Sequence, residues 1–221
     1  MNPNQQPGKR RILLVDDHPI VREGLAERIN RESDLRVCAE AEDRHEALQA
    51  IEAHKPDLVI VDIALKTSSG IELIKDIHSR WPRVSVLVVS MHDEALYAER
   101  ALRAGAKGYL TKQEATHSIL TGIRRVLSGE IYLNPKTAST VLERLAAGRG
   151  KVTDSVVDLL AEREMQVFEM TGHGLSTRQI AERLHIDVKT VETYRARIKE
   201  KLVLKDSSEL LQLAIQWQKE R

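Results

Sequence analysis

Over the first 128 residues, five short apolar runs alternate with five longer stretches whose apolar residues recur every three to four positions; no other feature restricts the fold so strongly. The runs, at residues 12–15, 35–39, 58–61, 84–89 and 108–110, are rich in Val, Ile and Leu and do not alternate with polar residues. Strands look like this when helices cover both faces of a parallel sheet. The stretches between and after them, at 19–30, 44–53, 70–79, 94–104 and 115–127, have helical spacing. Pro19, Pro56 and Pro82 fall where a helix begins or the next strand is approached. The pattern predicts an α/β fold, a doubly wound five-stranded parallel sheet, at residues 11–129. Beyond Gly129 only helical patterns remain. Residues 1–10 read as a loose tail, 130–153 as a partly helical linker broken at 148–150, and 154–221 as a small all-α domain with helices near 162–171, 176–184, 188–202 and 207–218.

A chain of 221 residues is long enough for two modest domains, each with its own core. No apolar run approaches the roughly 18–20 residues of a bilayer span, and the polar start carries no secretion signal, so a soluble, cytoplasmic protein with no membrane partner is expected. The single cysteine, Cys38, excludes an intramolecular disulfide and reads as a buried thiol. Net charge is only +1, so any nucleic-acid footprint must be local. One such stretch exists: between Val188 and Lys205, six cations (Lys189, Arg195, Arg197, Lys199, Lys201 and Lys205) face two anions, Glu192 and Glu200.

In a parallel α/β sheet, ligands sit at the carboxyl ends of the strands. Asp16 and Asp17 directly follow the first run, Asp62 closes the third, Ser90 closes the fourth, and Lys112 comes just after the fifth. Singly, each has a plain explanation: Asp17 before His18-Pro19 fits a helix cap, Ser90 a cap, and Lys112 a solvated side chain. Jointly, at one sheet edge, three carboxylates would repel one another unless a hard cation such as Mg²⁺ joined them. One carboxylate could then attack a phosphoryl group, with Lys112 neutralising the transferring oxygens.

The segments LLVDDH, LVIVDIAL, VLVVSM and AGAKGYLTK resemble the receiver domain of two-component systems. That resemblance implies Asp62 as the acceptor of phosphate from a sensor histidine kinase. It implies Mg²⁺ held by Asp17, Asp62 and the carbonyl of Ala64, with Asp16 reaching it through water. It also implies Ser90 and Lys112 on the phosphoryl group, and Tyr109 as the aromatic that repositions with Ser90. One departure stands out: receivers commonly have proline four residues after the acceptor, where this chain has Lys66, then Thr67, Ser68, Ser69 and Gly70.

In the second domain, Gly172 and Gly174 end one helix, Ser176 and Asp187 look like caps of the next two, and residues 184–187 make a short turn. Along 188–202, Val191, Tyr194, Ile198 and Leu202 share one face. Lys189, Thr190, Glu192, Thr193, Arg195, Ala196 and Lys199 share the other, whose size and chemistry suit a DNA major groove. Charge alone fits a solvated helix equally well. The helix pair and the segments LAEREMQVFEM, STRQIAERL and KTVETYRARIKEKL are similar to the LuxR-type helix-turn-helix of NarL/FixJ-family regulators. This implies that 188–202 is the recognition helix, that Arg197 joins its DNA contacts, that 207–218 pairs two copies, and that Glu164 is scaffold.

The function expected is a phosphorylation-controlled transcriptional regulator, not an enzyme, forming a homodimer on activation and reading an inverted repeat in double-stranded DNA. A phosphatase built on Asp-x-Asp and a dinucleotide-binding enzyme are both disfavoured, since neither that motif nor a glycine-rich first turn is present. The alternative is a phosphorylation-independent DNA-binding regulator whose degenerate receiver serves dimerisation; Lys66 is the residue favouring it. The eight histidines, His18 among them, show no metal-site spacing. His92 lies close enough to Ser90 to influence water access. Trp81 and Trp217 read as packing residues.

Overall fold

The computed structural model describes residues 8–65, 69–91, 94–146 and 160–219. The chain forms two compact units, Met1–Ala146 and Ala147–Arg221. Lys66, Thr67, Ser68, His92 and the 148–150 break lie outside the described residues.

In the first unit, β1 (Arg10–Val15), β2 (Leu35–Ala41), β3 (Leu58–Val61), β4 (Ser85–Ser90) and β5 (Gly108–Thr111) form one sheet in the order β2-β1-β3-β4-β5, parallel throughout. Five helices join or follow the strands: α1 (Pro19–Asn30), α2 (Arg44–His54), α3 (Gly70–Arg80), α4 (Glu94–Ala104) and α5 (Lys112–Leu127). Both faces are covered, which explains the unbroken apolar runs. Ile12, Leu14, Leu58, Ile60, Leu87, Val89 and Leu110 pack under Ile29 of α1 and Ile119, Ile123 and Val126 of α5. Their neighbours Leu13, Val15, Val59, Val61, Val86, Val88 and Tyr109 are buried too. The strand order reverses beside β1, so the ends of β1, β3, β4 and β5 open on one crevice.

Three expectations need correction. Cys38 is half-buried rather than buried, because the β1–β2 register slips between Ile12↔Val37 and Leu13↔Ala39, leaving Cys38 as the extra residue of a bulge on the edge strand. Helix α5 begins at Lys112, since Thr111 and Glu114 form a reciprocal capping box. The helix α6 (Pro135–Ala146), read as linker, belongs to the first unit, where it packs on α4 with Thr137 and Val141 buried. Its lead-in is tied to the sheet: Tyr132 N–H donates to the Lys107 carbonyl at 2.9 Å, and Tyr109 N–H donates to the Tyr132 carbonyl at 2.9 Å.

The second unit contains α7 (Glu162–Gly172), α8 (Thr177–Leu184), α9 (Val188–Lys201) and α10 (Ser207–Lys219). Helix α7 packs on α9 and α10. Met165, Phe168, Ile180, Val191, Ile198, Leu210 and Trp217 are buried, with Phe168 and Trp217 edge to face at 5.7 Å. Trp81, in the first unit, is half-buried beneath the Arg80 guanidinium, 4.3 Å from its ring centre.

Candidate functional site

The crevice of the first unit gathers the residues singled out in the sequence. Asp62, at the end of β3, is buried, and its oxygens are taken from three sides. Ser90 Oγ at the end of β4 donates to Oδ1 at 2.7 Å, Ala64 N–H donates to the same oxygen at 3.2 Å, and Lys112 Nζ lies 2.7 Å from Oδ2. The ammonium also lies 2.6 Å from Asp16 Oδ2, so one cation spans two buried carboxylates. Parallel register produces this convergence: Val61 pairs with Val15 and Val88, and Ser90 pairs with Thr111, the residue before Lys112. Tyr109 lies two residues earlier in β5, opposite Val88, and is fully buried.

The electrostatics follow from burial. Loss of water pushes the Asp16 carboxyl above its ordinary value, and the like charge of Asp62 pushes it further; Lys112 and the His18 N–H oppose the rise. Burial on its own would lower the Lys112 pKa, but the charges of Asp62 and Asp16 hold it above the ordinary lysine value. The cluster is therefore short of positive charge. Asp17 Oδ1 is buried without a hydrogen-bond partner, although the His18 ring Nδ1 sits 2.8 Å away. A buried carboxylate oxygen of Asp17 beside two further acids is the donor set a hard divalent cation takes. Ligand atoms of Asp16, Asp17, His18 and Asp62 all fall within 4.8 Å of one another.

Two residues here escaped the sequence reading. His18 caps the cluster, its Nδ1 also lying 3.0 Å from Asp16 Oδ1; adjacency to two aspartates was the available signal. Gly70 is the other. Its N–H donates to the Ile63 carbonyl at 3.0 Å, and a Cβ there would collide with the Asp62 carbonyl oxygen, so the start of α3 beside the end of β3 needs glycine.

In the second unit, α8 and α9 form a helix-turn-helix. Ser176 caps α8, accepting from Gln179 N–H in a capping box, and His185 ends α8 in the left-handed region at φ 54°. Asp187 precedes α9 but makes no side-chain cap, contrary to expectation. On α9, Lys189, Glu192, Thr193 and Arg197 are exposed, whereas Thr190, Arg195 and Lys199 are half-buried. Thr193 Oγ1 is turned back to the Lys189 carbonyl at 3.0 Å. Arg195 leans onto α8, its Nη1 donating to Thr177 Oγ1 at 2.8 Å while its buried Nε has no hydrogen-bond partner. Burial without a carboxylate lowers its pKa. Glu164 is buried, accepting from Ala161 N–H at 2.8 Å and lying 2.6 Å from Lys201 Nζ, so it fastens α7 to the end of α9.

A doubly wound sheet with an acid cluster and a convergent lysine, followed by a helix-turn-helix, defines the class of proteins in which a phosphorylation switch governs a DNA reader. Residues 12–124 match the family model "Response regulator receiver domain", and residues 158–214 match "Bacterial regulatory proteins, luxR family". The oxygen regulatory protein NreC of Staphylococcus carnosus (strain TM300) is 32% identical over 209 residues, covering 93% of this chain and 96% of that protein. A LuxR-family two-component response regulator from Aurantimonas sp. SI85-9A1 is 35% identical with a TM-score of 0.59, covering 63% of this chain and 99% of that one. RcsB from Salmonella enterica serovar Typhimurium, bound to promoter rprA in the presence of phosphomimetic BeF3⁻, shares the fold at 24% identity and a TM-score of 0.57, over 94% of this chain and 98% of that one. The chain belongs to the NarL/FixJ family of two-component response regulators. It is a phosphorylation-controlled transcription regulator with a LuxR-type DNA-binding domain. The reading with a phosphorylation-independent receiver is not favoured. Among the described residues no helix is long and apolar enough to cross a membrane.

Proposed function

We propose that Asp62 is the phosphoacceptor, taking its phosphoryl group from the phosphohistidine of a sensor kinase in the cytoplasm. An Asp62 oxygen attacks phosphorus as the P–N bond to the kinase imidazole breaks, and the imidazole nitrogen leaves with the bonding pair. Asp16, Asp17, Asp62 and the Ala64 carbonyl would hold Mg²⁺, which when bound neutralises charge on the phosphoryl oxygens. Lys112 supplies a second positive charge, and Ser90 Oγ donates to a phosphoryl oxygen in place of its bond to Asp62. Tyr109 repositions with Ser90. The observation that carries this reading is the convergence of Ser90 Oγ and Lys112 Nζ on Asp62, each at 2.7 Å.

In the second unit, α9 enters the major groove of double-stranded DNA. Lys189, Thr190, Glu192 and Thr193 lie near its start, where base edges are reached, and Arg195, Arg197 and Lys199 serve phosphates. The half-buried, carboxylate-free guanidinium of Arg195 supports a phosphate partner for that residue. Phosphorylation shifts the population toward a homodimer that reads an inverted repeat.

Intact mass and sedimentation, measured together after incubation with acetyl phosphate and Mg²⁺, test the reading. Wild type is expected to gain one phosphoryl group and shift toward dimer, and Asp62→Asn to do neither. A phosphoryl group on Asp62→Asn, or none on wild type, overturns the assignment.

A further inference from the structure

Two helices of the receiver, α5 and α6, share one carboxylate at their N-termini. Glu114 Oε2 accepts from Thr111 N–H at 3.1 Å and from Thr111 Oγ1 at 3.0 Å, and Thr111 Oγ1 in turn accepts from Glu114 N–H at 3.2 Å. That capping box sits on the residue before Lys112, whose ammonium spans Asp16 and Asp62. The other oxygen, Glu114 Oε1, accepts from Asn134 Nδ2 at 2.9 Å. Asn134 is engaged at both ends of its amide, because its Oδ1 accepts from Thr137 N–H at 2.8 Å and so caps α6. Only this orientation of the amide makes both bonds; the flipped one faces a carboxylate with a carbonyl and an N–H with an amine.

We infer that the Glu114–Asn134 hydrogen bond is the link through which the state of the phosphoryl site reaches α6, the last described element before the chain passes into its DNA-binding unit. The inference rests on Asp62 as phosphoacceptor. At rest, Lys112 is held by two carboxylates. Once Asp62 carries a phosphoryl group, the ammonium and Thr111 beside it follow the new anionic oxygens. Hydrogen bonds weaken steeply with misalignment. A carboxylate clamped to Thr111 on one oxygen therefore cannot move with it and keep Asn134 on the other. Asn134 is a positioning residue, acting through Glu114 and Thr111, and its release loosens the first turn of α6.

The test uses the full chain and hydrogen–deuterium exchange of the α6 amides, before and after acetyl phosphate with Mg²⁺, with phosphate occupancy read by intact mass. Exchange in α6 is expected to rise about tenfold on phosphorylation of wild type. Asn134→Asp keeps an N-cap oxygen but meets Glu114 with a second carboxylate. It should take up phosphate as wild type does, with α6 loosened beforehand and unresponsive. Combining Asn134→Asp with Glu114→Gln exchanges donor and acceptor: the new amide at position 114 donates to the new carboxylate at position 134 while its oxygen still serves Thr111, and the response of α6 should return. A merely structural role would not be rescued by this exchange. Equal α6 responses in wild type and Asn134→Asp overturn the inference, as does a double variant no more responsive than the single. Wild type that takes no phosphate takes down the phosphoacceptor reading, and this inference with it.

Discussion

The charged groups of the two units are arranged in opposite ways. In the receiver, Asp16, Asp62 and Ser90 are buried and Lys112 is half-buried, and the four satisfy one another within hydrogen-bonding distance. On α9, Lys189, Glu192 and Arg197 are exposed, and the half-buried Arg195 has a nitrogen that bonds to nothing. The contrast fits the roles proposed for the two sites. Moving a phosphoryl group needs charges fixed in position and stripped of water, where they act strongly on one atom. Binding a polyanion needs cations that stay hydrated until counterions are displaced, so that folding does not depend on them. Charge in the receiver is thus part of the fold, and charge on α9 lies on top of it.

Removing Lys112 strains that contrast most. Lys112→Ala leaves two buried carboxylates facing each other and is expected to destabilise the receiver by about 3–5 kcal/mol in urea titration, with part of the loss recovered by Mg²⁺. No recovery would show that the acids do not form a cation site. Glu164 is the exception in the second unit, a buried carboxylate that both caps α7 and meets Lys201. Glu164→Ala should cost about 2–3 kcal/mol, whereas charge removal at exposed Arg197 should cost less than about 0.5 kcal/mol. Equal costs at the two positions would show that the exposed charge of α9 is as much part of the fold as the buried Glu164. Val203 is a β-branched residue held at φ 56° and almost fully exposed, so Val203→Gly should stabilise by about 1 kcal/mol in thermal melts.

The smallest effect concerns pH. Arg124, within 3.0 Å of Asp34, holds that carboxyl below the usual carboxylate range. Its contribution is present above the unfolded value and lost as pH falls through the depressed folded one. The pair is exposed, so the amount is only about 0.5 kcal/mol. Asp34→Asn should flatten the acid limb of the stability curve by that much, as measured by urea midpoints from pH 5 downward.

Much of this was legible in the residues, and the gaps have physical causes. The five apolar runs could be placed because a strand buried on both faces has no reason to alternate, and the sheet then fixes where Asp16, Asp62, Ser90 and Lys112 lie. The start of α5 was readable but missed: Thr111-Lys112-Gln113-Glu114 is a capping-box sequence. Asp187 shows the reverse, a residue type suited to capping that makes no cap. Helix α6 was read as linker because an amphipathic pattern gives the width of an apolar stripe but not which body it lies against. That is settled by the bonds of Tyr132 to Lys107 and Tyr109 and of Asn134 to Glu114, each spanning more than ten residues, and by the burial of Thr137. Gly70 requires tertiary knowledge of another kind, the approach of its Cα to the Asp62 carbonyl.

The two rims of the sheet limit how copies of the receiver can join. On one side Tyr132 takes up backbone groups of Lys107 and Tyr109 that an incoming strand would need. On the other, the bulge at Cys38 breaks the repeat of β2, and Arg36 and Glu40 stand exposed along it. Neither rim offers the straight row of free amides and carbonyls that continued strand addition requires. Receivers of this chain can therefore crowd together without growing a shared sheet.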